Sequence, residues 1–277
     1  MGKNPTIRNE RVYLARMARP LREKLRVARY IPQDARTVLD VGCANGAITI
    51  ALAKLFSRKQ FIGIDLNESF VSRAQEQARK AGVGNVRFEK IYLRDLLARS
   101  ERFGAVLFVS VLHEFYAYGE GISSVLKALA DAHELLRKGG EIVIRDMILH
   151  EYAKHTSFQV DAIIAKVRAR RRWRRAIRDF EGAFGKLNTL YQLNHFLLKY
   201  MYEENWDREC REPYVPVTFE QYEQLFDLLG MELQLEDSYL IDFLRTKWKR
   251  DFGLTDDELE GFRSTGFLVA KKAAPRP

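Results

Sequence analysis

Short apolar runs alternate with helical patterns over residues 37–147, and this alternation constrains the fold more than any other feature of the chain. Apolar residues recur every three or four positions between the runs, most regularly over residues 122–136, where Lys138-Gly139-Gly140 is expected to end the helix. The alternation predicts an α/β fold with a parallel sheet and helices on both faces. The predicted strands are TVLDVG (37–42), QFIGID (60–65), VRFEKI (86–91), GAVLFVS (104–110) and EIVIRDM (141–147).

The second half of the chain has a different pattern. It is mostly helical up to about Arg211, and Thr218 is expected to cap a helix that ends at Gly230. Two strand-like runs, 231–240 and 265–272, are expected to complete the sheet as an antiparallel pair. The predicted parts are a basic N-terminal helical segment (1–36), a core (37–150), a helical cap or insertion (151–217), the C-terminal part of the core (218–272) and a tail (273–277).

Composition excludes several classes of protein. A chain of 277 residues with 47% hydrophobic residues can bury a full core. No run approaches the roughly 18 to 20 apolar residues of a membrane span, and the charged N-terminus is unlike a signal peptide, so we expect a cytoplasmic protein. Cys43 and Cys210 lie far apart without metal-ligand spacing. We therefore expect neither a disulfide framework nor a bound metal.

The stretch LDVGCANGAITIALA (39–53) is typical of a strand, a tight turn and a helix. Small residues in such a turn let a ligand approach the backbone. About twenty residues later, Asp65 ends the second strand, where a carboxylate can accept hydrogen bonds from both hydroxyls of a ribose. The glycine turn with an acidic strand end predicts a nucleotide-type ligand.

LDVGCANGAITIALA, FIGIDLNESFVSRAQE, VLFVSVLHEF and ALADAHELLRKGGEIVIRDM resemble the successive motifs of the class I S-adenosylmethionine-dependent methyltransferases. The resemblance covers residues 37–150, with a return at 217–272. It implies S-adenosyl-L-methionine as cofactor and a seven-stranded sheet of order 3-2-1-4-5-7-6 with strand 7 antiparallel. It also implies that Asp65 holds the ribose, that Leu66 packs on adenine, and that the cofactor is lined further by Asp40, Gly42, Cys43, Ala44, Gly46, Ser110 and Val111.

A dehydrogenase site for a dinucleotide is the alternative reading of the same turn. It needs glycines spaced GxGxxG to seat a pyrophosphate on the helix N-terminus, whereas this chain has GCANG. Asp40 would repel phosphate, but it suits a ligand that carries an ammonium and a sulfonium. The methyltransferase reading is therefore preferred.

Two positions depart from the family's pattern. Ala44 stands where glycine is usual, and we expect slight crowding with binding retained. The third strand usually ends in a Gly-Asp pair whose acid contacts the adenine amino group, but here it ends in Ile91-Tyr92. Either Tyr92 and the backbone of Leu93 recognise adenine, or Asp95 reaches round to it.

Catalytic residues must lie at the carboxyl ends of the strands, over the cofactor. Methyl transfer is an in-line displacement, so a base is needed only if the acceptor must lose a proton. His113 after the fourth strand and Asp146 after the fifth are the candidates. A histidine bonded to backbone and an Arg145–Asp146 pair are their structural alternatives, and His150, His155 and His195 depend on how the insertion folds.

The segment KVRARRRWRRAIR (166–178) has eight basic residues in thirteen and no acidic one. Such density favours phosphate-rich partners, with a solvated helix face as the alternative. Three functions follow: a methyltransferase of RNA or another polyanion, a methyltransferase of a small metabolite bound under the cap, and a catalytically silent RNA-binding scaffold. The candidate substrate-binding residues are Arg170, Arg171, Arg172, Trp173, Arg174, Arg175 and His195.

Overall fold

The computed structural model describes residues 21–155 and 158–273. Most of the basic N-terminal segment and nearly all of the predicted tail lie outside these residues. The division of the chain into five parts stays a prediction. Within residues 21–155 and 158–273, no helix is long and apolar enough to cross a membrane. The cytoplasmic location expected from the sequence also stays a prediction.

Seven strands form one sheet in the order β3-β2-β1-β4-β5-β7-β6, which confirms the predicted topology. Strands β1 to β5 are parallel, and β7 is antiparallel to both β5 and β6. The order reverses between β1 and β4, where crossovers leave the sheet in opposite directions and a crevice opens at the strands' carboxyl ends. The strands are β1 Thr37–Val41, β2 Gln60–Asp65, β3 Val86–Lys90, β4 Phe103–Val109, β5 Leu136–Asp146, β6 Met231–Tyr239 and β7 Thr265–Lys272.

Helices cover both faces of the sheet and build a separate layer at one end. The α-helices are α1 Leu21–Lys24, α2 Ala47–Leu55, α3 Glu68–Lys80, α4 Leu112–Tyr118, α5 Ile122–Leu135, α6 Phe158–Ala169, α7 Arg174–Phe184, α8 Leu190–Lys199, α9 Trp206–Glu209, α10 Phe219–Leu228 and α11 Asp242–Phe252. Shorter 3₁₀ helices include Leu25–Tyr30, Leu93–Ala98 and Arg171–Trp173. Thr218 caps α10 as expected, in a capping box with Gln221.

The fifth strand begins earlier than the sequence predicts. Helix α5 ends at Leu135, and the chain enters β5 at once, so Lys138-Gly139-Gly140 lies inside the strand. The pairing of β4 with β5 shifts register between Phe103 and Ala105, and Gly139 has a φ of +67°. The two glycines therefore form an irregularity in an extended strand and not the end of a helix.

A hydrophobic cluster separate from the sheet joins the cap helices. Residues 149–262 contribute to it, including Trp173, Phe196 and Tyr200. Helix α11, which the sequence pattern did not reveal, belongs to this cluster: Trp248 is fully buried and its indole N–H donates to the carbonyl of Leu197 at 3.0 Å. The chain between β6 and β7 thus forms a helix that packs against the cap.

Candidate functional site

Two positions with unusual backbone geometry lie at the centre of the sheet's carboxyl edge. Ala44 has a φ of +47° in the turn after β1, and Ser110 has a φ of +58° at the end of β4. They are the non-glycine residues with positive φ in the part of the chain that the structure describes. A left-handed conformation costs a residue with a Cβ about 1–2 kcal/mol, and such strain concentrates at ligand sites.

The glycines of the turn are required by packing inside the protein. A Cβ on Gly42 would lie 2.4 Å from Val111 Cγ2, and one on Gly46 would lie 2.7 Å from Phe88 Cζ. Cys43 packs into the same cluster as Phe88, and burial raises the pKa of its thiol. The sequence suggested that small residues let a ligand approach the backbone. In the structure, they are needed because the turn packs tightly against the protein's own side chains.

Asp65 has the geometry to hold a pair of hydroxyls. Its Oδ2 accepts a hydrogen bond from the amide of Ala44 and its Oδ1 from the amide of Asn67, each at 2.9 Å. Burial raises the pKa of Asp65, while these backbone bonds oppose the rise. The two amides fix the carboxylate's orientation, and each oxygen keeps a lone pair for another donor. This pair of acceptor oxygens fits the two hydroxyl donors of a ribose.

Two large apolar side chains are exposed at the adjacent ends of β2 and β3. Leu66 is 49% exposed and Tyr92 is 48% exposed, whereas Leu93 is buried and Asp95 is exposed. Exposed apolar groups side by side on a strand edge offer a surface for a flat ring. They fit the adenine of S-adenosylmethionine.

Asp40 is 2% exposed and lies in the interior below the turn. Its Oδ2 accepts a hydrogen bond from the Thr49 hydroxyl at 2.6 Å, and burial raises its pKa to about 6. A buried carboxylate gains from a positively charged neighbour, and the cofactor's methionine end carries an ammonium and a sulfonium. The residues present therefore fit S-adenosylmethionine at its ribose, its base and its charged end.

His113 and Asp146 lie together at the ends of β4 and β5. The imidazole Nδ1 is 2.8 Å from Asp146 Oδ1, and its Nε2 is 3.0 Å from Glu212 Oε1. Burial disfavours the imidazolium, but Asp146 and Glu212 outweigh it and raise the pKa of His113 to about 10. His113 is therefore protonated at neutral pH, with both ring nitrogens engaged.

Arg208 from the cap, and Glu114 and Tyr118 from α4, extend this group of side chains. We call the group the strand-end cluster; it consists of His113, Glu114, Tyr118, Asp146, Arg208 and Glu212. Arg208 donates to Glu212 Oε2 at 2.9 Å and to Glu114 Oε1 at 3.2 Å, and the Tyr118 hydroxyl donates to Glu212 Oε2 at 2.7 Å. Burial, with the charge of Glu212, raises the pKa of Glu114 to about 7. The side chain of Glu114 is 25% exposed, against 7% for His113. Glu114 is therefore the more accessible titratable group.

The cluster does not need a metal ion to balance its charge. His113, Glu114 and Glu212 offer ligand atoms within 4.8 Å of one another. Arg208 and the imidazolium provide positive charge beside these carboxylates, and they engage both oxygens of Glu212 and one oxygen of Glu114. Arg208 and Glu212 could not be recognised from the sequence, because about a hundred residues separate them from His113.

Arg145 and Asp146 do not form the pair considered from the sequence. Arg145 donates to Ser110 Oγ at 2.6 Å and to Thr265 Oγ1 at 3.2 Å, whereas Asp146 contacts His113. Neighbouring residues of a strand point to opposite faces, which explains the separation. Arg145 thus holds the strained Ser110 in place.

Of the other predicted residues, His195 approaches the strand-end cluster through Tyr214, whose ring centroid lies 5.6 Å from that of His113. His150 contacts Glu220 and Glu236 at the edge of the sheet, and His155 is exposed. His195 is 2% exposed inside the cap, where its Nε2 accepts a hydrogen bond from the amide of Tyr214. Of the basic segment, Trp173 is buried, while Arg170, Arg171, Arg172, Arg174 and Arg175 are exposed.

The sheet order, the turn after β1 and the acid after β2 define the class I methyltransferase fold. A family model described as a methyltransferase domain matches residues 32–202. The chain therefore belongs to the class I S-adenosylmethionine-dependent methyltransferases, whose cofactor is S-adenosylmethionine.

Individual proteins similar to this chain agree with that assignment. A probable methyltransferase, ltbC, of Aspergillus luteorubrus is 31% identical and covers 40% of each chain, and the O-methyltransferase cnsE of Penicillium expansum is 31% identical over 43% of this chain and 41% of its own. The matched region thus covers well under half of the length of each of these two relatives. Magnesium protoporphyrin IX methyltransferase from Synechocystis PCC 6803 with bound SAM has a TM-score of 0.52 at 10% identity, covering 97% of this chain and 87% of its own.

Proposed function

We propose that this protein transfers the methyl group of S-adenosylmethionine to an oxygen or nitrogen of a small molecule bound between the sheet and the helical cap. The observation that carries the proposal is the cap's contact with the strand-end cluster through Arg208 and Glu212. A reaction centre covered in this way accommodates a small acceptor better than a folded nucleic acid. Similarity to the O-methyltransferase cnsE supports an oxygen as acceptor atom.

In this proposal, each part of the site has one task. Asp65 holds the ribose, Leu66 and Tyr92 flank the adenine, and Asp40 faces the charged methionine end. The cofactor supplies an electrophilic methyl group, and the protein's main contribution is alignment.

A proton acceptor is proposed for the same site. His113 cannot take a proton while it is an imidazolium, so His113 and Asp146 position the cluster and stabilise its charge. Glu114, with a pKa near neutrality and an accessible side chain, is the proposed acceptor of the substrate's proton.

A polyanionic acceptor such as RNA is the second candidate. Arg170, Arg171, Arg174 and Arg178 are exposed, and the described part of the chain gives none of them an ion pair. Free arginines on one surface attract phosphates. They support this candidate, but they lie on the cap's outside surface and not at the strand-end cluster.

Transfer of labelled methyl from S-adenosylmethionine into fractions of a cell extract tests the choice. We expect label in the small-molecule fraction, whereas label in RNA would favour the second candidate. Arg171→Gln with Arg174→Gln and Arg178→Gln should leave small-molecule labelling unchanged. If RNA is the acceptor, the triple variant should lose RNA labelling, and the salt dependence of RNA binding should flatten by about 0.7 to 0.9 in logarithmic slope for each phosphate that the variant no longer binds.

A further inference from the structure

The cap contains a cavity of about 490 Å³ beside the strand-end cluster. Its volume is in the range of small-molecule sites. Arg208 is common to both places, because it lines the cavity while its guanidinium donates to Glu114 and Glu212. The cavity is therefore adjacent, through one side chain, to the groups proposed for proton transfer.

Three aromatic residues are among those that line the cavity. Trp173 and Tyr200 are buried and in contact edge to face, with ring centroids 4.7 Å apart. Trp206 also lines the cavity, and its indole N–H donates to Asp179 at 3.2 Å, which fixes its orientation. Fixed rings of this kind favour a planar ligand, since stacking needs little further ordering of side chains.

The charge of the cavity favours an anion. Four arginines and three carboxylates line it. Arg172 is held by Glu203 at 2.9 Å and lies over the Trp173 ring at 4.5 Å. Arg211 is different: among the described residues, nothing accepts a hydrogen bond from its guanidinium or forms an ion pair with it. A carboxylate on the ligand would provide that partner with fork geometry.

We propose that this cavity binds a planar organic acid, with its ring against Trp206 and its carboxylate on Arg211. The inference rests on the proposed function in one respect: the acid would be the anchoring end of the small acceptor. Binding itself requires no methyl transfer, so it can be measured separately.

Tryptophan fluorescence of the full chain tests the proposal with benzoate as the probe. Two of the three tryptophans line the cavity, so a bound ring should change the emission. A ligand this small is expected to bind at about 1–10 mM. Benzamide, which lacks the charge, and inorganic phosphate, which lacks the ring, should each bind at least about tenfold more weakly.

Two matched variants locate the site. Arg211→Gln should weaken benzoate binding about tenfold, the effect of removing one charged hydrogen bond. Arg174→Gln removes an exposed arginine outside the cavity and should leave benzoate binding unchanged. Urea melts establish that both variants are folded.

Three results would overturn the proposal: no saturable change in fluorescence with benzoate, equal binding of benzamide and benzoate, or equal losses of affinity in the two variants. Calorimetry with S-adenosylmethionine on the same sample separates this failure from failure of the proposed function. A protein that binds the cofactor but not benzoate keeps the methyltransferase proposal and loses the cavity proposal.

Discussion

Ala44 combines an ordinary side chain with a backbone conformation that favours glycine. Its amide also donates the hydrogen bond that orients Asp65, the residue proposed to bind the ribose. The strained turn therefore fixes the position of that carboxylate. Substitution at either position therefore reports on the same structural unit.

Ala44→Gly should leave S-adenosylmethionine affinity within about threefold and raise the free energy of unfolding by up to roughly 1 kcal/mol, because glycine relieves the left-handed strain. Calorimetry and urea denaturation measure the two quantities. Ala51→Gly, inside α2, is the control and should cost about 1 kcal/mol. A tenfold loss of cofactor affinity in Ala44→Gly would show that the Cβ itself is needed.

Asp65→Asn should weaken S-adenosylmethionine binding at least about tenfold, since the amide cannot present two charged acceptors to the ribose. Asp95→Asn is the matched control for charge. Unchanged affinity in Asp95→Asn would favour Tyr92 and the backbone of Leu93 for adenine recognition, whereas a comparable loss would assign that role to Asp95. Unchanged affinity in Asp65→Asn would remove Asp65 from the proposed site.

The sequence predicted the positions of Asp40 and Asp65 because strand ends and turns are local features with recognisable residues. It did not predict why Gly42 must be glycine, since Val111, which lies between β4 and α4, contacts it from a distant part of the chain. Glu212 carried no local signal either. Its importance depends on a tertiary contact with His113 that no spacing rule encodes.

At the scale of elements, the cap and the sheet are joined through one cluster of buried charges. Glu212 contacts His113, Arg208 and Tyr118, so a single carboxylate satisfies partners from α4 and from the cap. Burial opposes its ionisation, but His113 and Arg208 outweigh burial and lower the pKa of Glu212.

Glu212→Gln should lower the free energy of unfolding by roughly 2–4 kcal/mol, because it leaves buried positive charges uncompensated. It should also lower the pKa of His113, which loses one of two carboxylates. Urea denaturation and proton NMR titration measure these effects. Glu120→Gln removes a solvent-exposed pair with Lys127 and should leave the free energy of unfolding nearly unchanged. Equal effects of the two substitutions would contradict a stabilising role for the cluster.

Element boundaries were predictable where hydrophobic periodicity and turn residues agreed, as in β1, β2 and α10. They were not predictable at Gly139-Gly140, since a pair of glycines can end a helix or form an irregular strand. Helix α11 was missed because its buried face meets the cap, and the residues that it covers are distant in sequence.

The whole molecule carries several acids whose pKa is raised by burial: Asp40 to about 6, and Glu114 and Glu209 to about 7. In the unfolded chain these groups ionise near pH 4. Between pH 5 and pH 7.5 the folded protein therefore binds more protons than the unfolded chain. Its stability should fall as pH rises through this range.

His113 acts in the same direction, because its raised pKa contributes stability that is complete below about pH 6.5 and is lost as pH approaches 10. Two groups have the opposite sign. Lys199 acts above this range, because its pKa is about 8. Burial lowers the pKa of His195, so its contribution to stability rises up to about pH 6.5 and offsets part of the loss from the three acids. Urea melts of the cofactor-free protein should show a loss of about 2 kcal/mol or more from pH 5 to pH 7.5. Glu209→Gln should reduce the slope, and a stability that rises with pH would refute the assignment.

The topology was the most predictable property of the whole molecule. The alternation of strands and helices indicated a mostly parallel sheet with helices on both faces. The strand order itself was implied by the resemblance to the methyltransferase family, and the structure confirms it. The acceptor was the least predictable property. In our proposal it is bound by the cap, and the cap's sequence is equally consistent with a binding site and with a helical layer that is only packed. Its basic segment proved to be partly a cavity wall, at Arg172 and Arg175, and partly an outer surface, at Arg171 and Arg174.

The two ends of the insertion meet where it leaves the sheet layer. The amide of Phe219, at the start of α10, donates to the carbonyl of Leu149, just beyond β5, at 3.2 Å. A segment attached through such neighbouring points can change in length or be exchanged with little effect on the chain entropy of the rest. The architecture therefore tolerates a change in the length of the insertion, whereas exchange of the whole insertion must also preserve its contacts with α11 and with His113, Glu114 and Tyr118.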